Sequence, residues 1–347
     1  MLGEAGWAPG AWPELAESFR WGDAWTNRRQ AFLEEAGLAL TNVFPFRPQG
    51  NNIETICGPK AAVGPGYAFP ALKLGQYILP EYVHHVERLR QELASARPNL
   101  VVCLGNVACW AVLRATNIGS IRGSVAEAQL VPGMKCLATY HPAGVLRNWS
   151  WRPIVLADLM KAARQGEFPE IRRPKRAILV NPAFEEAMLW FVTTRMLMDS
   201  GHPRRFACDT ETAQGQITCI SFATSNDSAI TIPFVKMKRD STGHTVPNWE
   251  NYWEDEWEEY RVWQEIKWFL ESGCEIVGQN FIYDLQYLLP CGIFPRRCAH
   301  DTMLLHHSIF PEMNKGLGFL GSIYSDEASW KLMRRRRQGE GGEKRDE

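Results

Sequence analysis

The chain has 347 residues, of which 45% are hydrophobic and 22% charged, with a formal net charge of −1. That profile fits a globular chain of about two domains, and it excludes a polycationic nucleic-acid binder, so any DNA contact must come from local basic patches. No apolar run reaches membrane-spanning length and no secretory leader stands at the start, which excludes a helical membrane protein and points to the cytoplasm.

In chain order, Gly3, Gly6 and Gly10 with Pro9 make a loop suited to close approach to a phosphate or a base. The chain opens almost directly on this loop, so an upstream piece is expected to be missing. Residues 25–36 read as a helix, with Gly37 as its stop. Residues 38–44 read as a strand, and 45–52 as a polar, turn-rich loop. Residues 57–80, rich in Gly and Pro, read as irregular. Tyr82, Val86, Leu89 and Leu93 recur at helical spacing over 81–96. A buried strand is predicted at 100–104, a helix at 107–113, a strand at 135–139 ending in Tyr140, His141 and Pro142, and a closing helix at 152–163. Alternating strands and helices predict an α/β domain with a mostly parallel sheet. Ligands in such sheets sit at the C-terminal strand ends, where Gly3 to Ala5, Thr41, Asn42 and His141 fall. The nine cysteines form no C-x-x-C pair. They read as free thiols of a reducing compartment without structural zinc.

Four stretches stand in order: Gly-Glu-Ala at 3–5; Leu-Thr-Asn-Val-Phe at 40–44, with Arg47 and Pro48; Pro-Asn-Leu-Val-Val-Cys-Leu-Gly at 98–105; and Thr-Tyr-His-Pro-Ala-Gly-Val-Leu-Arg at 139–147. Together they resemble the motifs of family 4 uracil-DNA glycosylases and their phage relatives, over residues 1–165. The resemblance implies a uracil-DNA glycosylase-like α/β/α domain that reads an extruded base. Asn42 offers the donor and acceptor that suit a uracil edge. His141 is the candidate to stabilise negative charge on the departing base. Phe19 is the candidate to stack on the base, Glu4 to sit near the attacking water, and Arg147 to contact a phosphate. Taken singly, Asn42 and His141 read as caps of strand ends. Two departures stand out. Here the first motif runs Gly3, Glu4, Ala5, Gly6, Trp7, Ala8, Pro9, Gly10, where the family has Gly-Glu-Ala-Pro-Gly. The family's 4Fe–4S cluster also takes cysteines upstream of that motif, whereas Cys57 alone stands in the loop region, so no 4Fe–4S cluster is expected.

Residues 166–176 read as a charged, proline-bearing linker. A strand follows at 177–180, and Asn181 and Pro182 open a helix to about 198. Phe-Ala-Cys-Asp-Thr-Glu-Thr at 206–212 is a strand ending in two acids. Positions i and i+2 share a strand face, so Asp209 and Glu211 project together. Paired carboxylates repel unless a cation intervenes, and hard divalent ions take such ligands. Alone, Asp-x-Glu reads as a solvated strand end. Strands follow at 217–222 and 229–234, then a helix at 253–271 with a solvated acidic face, a strand at 275–280 and a helix start at 281–289. The spacing of Asn280 and Asp284 is one helical turn, directing both at the acidic strand. His300, Asp301, His306 and His307 read as one polar helix face.

Asp209, Glu211, Asn280 and Asp284 resemble the first two motifs of the 3′→5′ exonuclease domain of family A DNA polymerases. Residues 300–304 and 315–324 look like the next elements of its phage-type members. The resemblance implies a ribonuclease H-like domain at 177–333, with Asp209, Glu211 and Asp284 holding Mg²⁺ or Mn²⁺ and Asn280 at the substrate. One ion generates the attacking hydroxide and the other stabilises the leaving 3′ oxygen. The family's third motif, Tyr-x-x-x-Asp, is not met: Ala328 stands four residues after Tyr324. A charged tail at 334–347 reads as disordered. The domain is therefore expected to be incomplete. The reading is a DNA replication or repair protein, an exonuclease fused to a glycosylase-like domain, acting on single-stranded DNA or a 3′ end in the cytoplasm of a host cell if phage-encoded. The alternatives are a catalytically impaired module that holds DNA or a separate DNA polymerase, and a truncated fragment of a phage DNA polymerase.

Overall fold

The described residues of the computed structural model are 36–327, apart from Gly201, Pro203, Thr242 and His244. Glu4, Phe19, residues 25–35 of the helix expected at 25–36, Ala328 and the charged tail lie outside them. The chain divides into two compact units: one runs to Arg172 and resumes at Gly318, and the other is Arg173–Leu317. No described helix is long and apolar enough to cross a membrane.

In the first unit, helix α1 (His84–Ala96) buries Val86, Leu89 and Leu93, the stripe its spacing predicted. It ends at Arg97, which is left-handed at φ 44°, ahead of a proline that cannot continue a helix. Strand β1 (Val101–Leu104) leads into α2 (Gly105–Leu113). Strand β2 (Val125–Glu127) precedes β3 (Lys135–Thr139), all five residues of which are buried. Helix α3 (Pro142–Arg147) and helix α4 (Arg152–Gly166) follow. The strand order is β1-β3-β2, with β1 parallel and β2 antiparallel to β3. Among the described residues the sheet is thus half parallel, where a mostly parallel one was expected. The strand predicted at 38–44 does not form. Its segment is bent, and the Asn42 and Val43 carbonyls accept from the Arg88 guanidinium instead of from a neighbouring strand. Its apolar residues still pack: Phe44 stacks toward Trp110 with centroids 6.4 Å apart. Burial does not require a strand when a side chain satisfies the main chain.

In the second unit, β4 (Ala177–Val180) leads to α5 (Phe184–Asp199). Pro182 stands just before this helix rather than in it. Ala183 is the cap, its N–H donating to the Glu186 carboxylate. Strands β5 (Arg205–Ala213), β6 (Gln216–Ala223) and β7 (Ser228–Pro233) form an antiparallel meander. A separate ribbon pairs β8 (Val235–Arg239) with β9 (Thr245–Asn251). Helix α6 (Glu256–Glu271) starts at Asp255, whose side chain accepts from the Glu258 N–H. The acidic residues of its first turn favour the positive end of the helix dipole. Strand β10 (Glu275–Gly278), helix α7 (Ile282–Leu288), strand β11 (Cys298–Asp301) and helix α8 (Thr302–Ile309) complete the unit. The sheet order is β11-β10-β5-β6-β7-β4, with β10 parallel to both β5 and β11. Its core gathers Phe191, Phe206, Phe222 and Phe269, each at most 1% exposed, and burying each contributes about 2–3 kcal/mol.

Helix α9 (Leu317–Tyr324) closes the described chain. From Gly318 on it groups with the first unit, whereas the sequence reading placed 315–324 with the second. A buried polar network explains the grouping. Arg122 pairs with Asp158 and donates to the Ser322 hydroxyl at 2.8 Å, and Asp158 also accepts from Thr139 at 2.6 Å. Lys161 donates to the carbonyls of Gly123, Ser322 and Ser325.

Candidate functional site

Two groups of polar residues stand out, one in each unit: the first follows the end of β3, and the second lies along β5 past its pairing with β10. In the first unit, β3 delivers His141 to the cap of α3. Its Nδ1 accepts from the Ala143 N–H at 3.1 Å, and Pro142 occupies the first turn, where no N–H is required. In the neutral ring an accepting Nδ1 places the proton on Nε2. The exposed imidazole thus presents an N–H donor outward. Gly105, at the end of β1, has φ +83° and lies so close that a Cβ there would sit 3.0 Å from that of His141. This glycine lets the two strand ends converge.

Asn42 is exposed on the bent segment held by Arg88, and its side-chain amide has no hydrogen-bond partner among the described residues. Arg147 is the exposed last residue of α3. The sequence reading passed over the neighbours of His141. Tyr140 stacks on Trp151 with centroids 4.2 Å apart, and Trp149 is 65% exposed. A large aromatic left open beside Arg147 and Arg152 is what a stacking surface needs. Its signal in the sequence was the Trp149, Ser150, Trp151, Arg152 run following the histidine.

Among the described residues no three His, Cys, Asp or Glu side chains are gathered as for a metal ion. Cys57 donates its thiol to the Ile53 carbonyl. Burial pushes the Cys136 thiol up to about 12, which favours the proton over a metal.

In the second unit, strand alternation buries Phe206, Cys208 and Thr210 on one face and turns Asp209 and Glu211 to the other. Beyond the stretch where β10 pairs with β5, Asp284 of α7 takes up the strand's free donors. Its Oδ1 accepts from the Thr210 N–H at 2.8 Å and the Thr210 hydroxyl at 2.7 Å. Burial by the surrounding protein, then the charges of Asp284 and Glu211, push the Asp209 carboxyl up to about 6. Asp284 is likewise raised, first by burial, with the Thr210 hydrogen bonds opposing and Asp301 adding. Asp284 and Glu211 are thus close enough to Asp209 to oppose its ionisation.

Asn280 lies before α7, left-handed at φ 57°, rather than on a helical turn with Asp284. Its N–H and that of Phe281 donate to Asp301, which also accepts from Met303 and Leu304. Asp301 thus braces the two turns after β10 and β11 and caps α8. Tyr283, which the sequence reading did not single out, meets the Thr212 hydroxyl at 2.5 Å. For a hard divalent ion the donor chemistry fits and the mutual repulsion at Asp209 favours a cation, yet as placed these acids do not form a three-ligand cluster.

Residues 2–163 match the model of the Uracil DNA glycosylase superfamily. The first unit is therefore uracil-DNA glycosylase-like, and His141, Asn42 and Arg147 fall inside the matched span. No curated protein matches the chain.

Proposed function

We propose that this chain is a DNA-processing protein that excises uracil through its first unit and trims 3′ ends through its second. The observation that carries the first activity is His141 at the end of β3, with its Nδ1 occupied and its Nε2–H presented outward. As the glycosidic bond breaks, negative charge builds on the base, and an N–H donor aimed at it lowers the barrier. The Asn42 amide, without a hydrogen-bond partner among the described residues, would read a uracil edge, and Arg147 with the exposed Trp149 would hold the strand. Water is the nucleophile at the sugar.

For the second activity the support is topological and electrostatic. The strand order supports a ribonuclease H-like reading: β10 and β11 extend the β5–β6–β7 meander in parallel on the β5 side, and β4 joins β7 on the other. The acids lie on β5 just past the stretch that pairs with β10, and so beyond the C-terminal end of that parallel strand, the usual place for a ligand. Asp209, Glu211 and Asp284 would hold Mg²⁺ or Mn²⁺, which when bound supplies charge neutralisation and an activated water. The protein's own part is to hold the acids together against their repulsion, Asp284 through Thr210 and the turn before α7 through Asp301. A second reading, a DNA-holding module without nuclease chemistry, is favoured by the engagement of Asp284 with Thr210.

A 5′-labelled single strand with one internal uracil, incubated with Mg²⁺ or EDTA and then treated with alkali, separates the readings. A band at the uracil that survives EDTA and is lost in His141→Ala supports the first activity. A Mg²⁺-dependent ladder lost in Asp209→Asn supports the second. Intact strand in every lane rejects both.

A further inference from the structure

We propose that the second unit carries a subsite for an unpaired nucleobase, a groove between the β8–β9 ribbon, α6 and α7 whose ribbon also holds the adjoining phosphates. The groove encloses about 550 Å³, room for a base and part of its sugar. Phe234 and Trp263 are among its lining residues and stack on each other with centroids 4.2 Å apart and planes 11° apart. Trp249 and Tyr287 line it from opposite elements. Trp249 is left-handed at φ 64°, a conformation that costs a bulky residue energy and persists only where the surroundings impose it. It remains 39% exposed, so the strained backbone holds an aromatic ring open rather than burying it. Gln216 and Gln286, also lining the groove, are exposed and bring amides able to pair with a base edge. The Glu259 carboxylate is engaged by Asn251 and by the Trp263 indole.

Charge selects the occupant. On β8, Lys236, Lys238 and Arg239 are exposed and form no ion pair among the described residues. Val235, where that strand begins, lines the groove itself. Aromatic rings in the groove, with cations farther along the same ribbon that have no ion pair among the described residues, suit a single strand, whose bases stack while its phosphates meet lysine and arginine. An apolar peptide has no use for the three cations. The groove also lies one turn along α7 from Asp284: the Tyr287 ring is 5.2 Å from that of Tyr283, whose hydroxyl meets Thr212. The inference rests on reading the second unit as a nucleic-acid-binding body, not on its cleaving a strand.

The test uses the full chain in EDTA, where metal-dependent cleavage cannot occur. A fluorescein-labelled oligo-dC carrying one 5-iodocytosine is titrated by anisotropy and then photocrosslinked, and the crosslinked peptide is identified by mass spectrometry. Crosslinks at Trp249 or Tyr287 are expected. Trp249→Ala should weaken binding about fivefold and Trp249→Phe should restore most of it. Lys236→Ala with Lys238→Ala, both on an exposed strand, should lower the slope of log affinity against log salt by about 1.4. Crosslinks confined to residues outside 173–317, or an unchanged salt slope together with unchanged binding by a folded Trp249→Ala protein, overturn the proposal. The nuclease reading fails separately, by the missing Mg²⁺ ladder.

Discussion

At the scale of single residues, the two sites make opposite electrostatic demands. Asp209 ionises only near pH 6, against an ordinary 3.8. Below about pH 4 it is protonated folded and unfolded alike, and it contributes nothing. As pH rises from about 4 to about 6 the unfolded chain releases this proton while the folded one retains it, so stability is lost across that window. Asp209→Asn should therefore leave the melting temperature unchanged near pH 3 and raise stability at pH 7. Because Asp209 keeps contact with solvent, the gain is about 1 kcal/mol rather than the full value of the shift. Added Mg²⁺ should stabilise the unsubstituted protein at pH 7 and not the variant. An equal response of both proteins would remove the cation from this site. His141 works through position instead. His141→Asn keeps a capping side chain and should melt with the unsubstituted protein, yet excise uracil about a hundredfold more slowly. A variant that excises at the normal rate would reduce His141 to a helix cap.

At the scale of elements, the interaction to test is α9 on the first unit. Gly123 has φ +69°, and a Cβ there would lie 2.7 Å from the Ser322 carbonyl and 2.8 Å from the Asp158 carboxylate. Only glycine passes between them. Burial holds Lys161 near 8, and its three carbonyl partners lose their donor if it is removed. Lys161→Met should cost about 3 kcal/mol in chemical denaturation, and Gly123→Ala about 2 kcal/mol or more. Hydrogen exchange should show the loss first in α9 and at the end of α4. The strand predicted at 38–44 and the helix at 317–324 illustrate different limits of sequence reading. The first has an apolar run, but its main-chain partner is Arg88, 46 residues beyond Asn42. The second has the right period, but periodicity names no partner, and the donors that hold it are Arg122 and Lys161.

At the scale of the whole molecule, the chain leaves its first unit at Arg172 and resumes it at Gly318. The cores have no member in common: the aromatic cluster of Phe191, Phe206, Phe222 and Phe269 lies wholly in the second unit, and the cluster around Trp110 wholly in the first. Distant sites with separate partners act additively. Calorimetry should accordingly resolve two transitions, with Lys161→Met lowering one and Asp209→Asn at pH 7 raising the other. A single transition moved by both variants would show that the units unfold as one.

The sequence by itself determined the kind of backbone that carries Asp209, Glu211 and His141. The period of two in Phe206, Cys208 and Thr210 placed Asp209 and Glu211 on one face, and the residues before Pro142 placed His141 at a strand end. Those are local consequences of backbone geometry. Only the tertiary structure decided that Asp284 turns to Thr210, that Asp301 is a brace, that Tyr283 reaches Thr212, and that α9 belongs to the first unit. Each depends on a hydrogen bond between residues 20 to 200 positions apart. Their partners are set by how the strands pair and the helices pack, which no local pattern encodes.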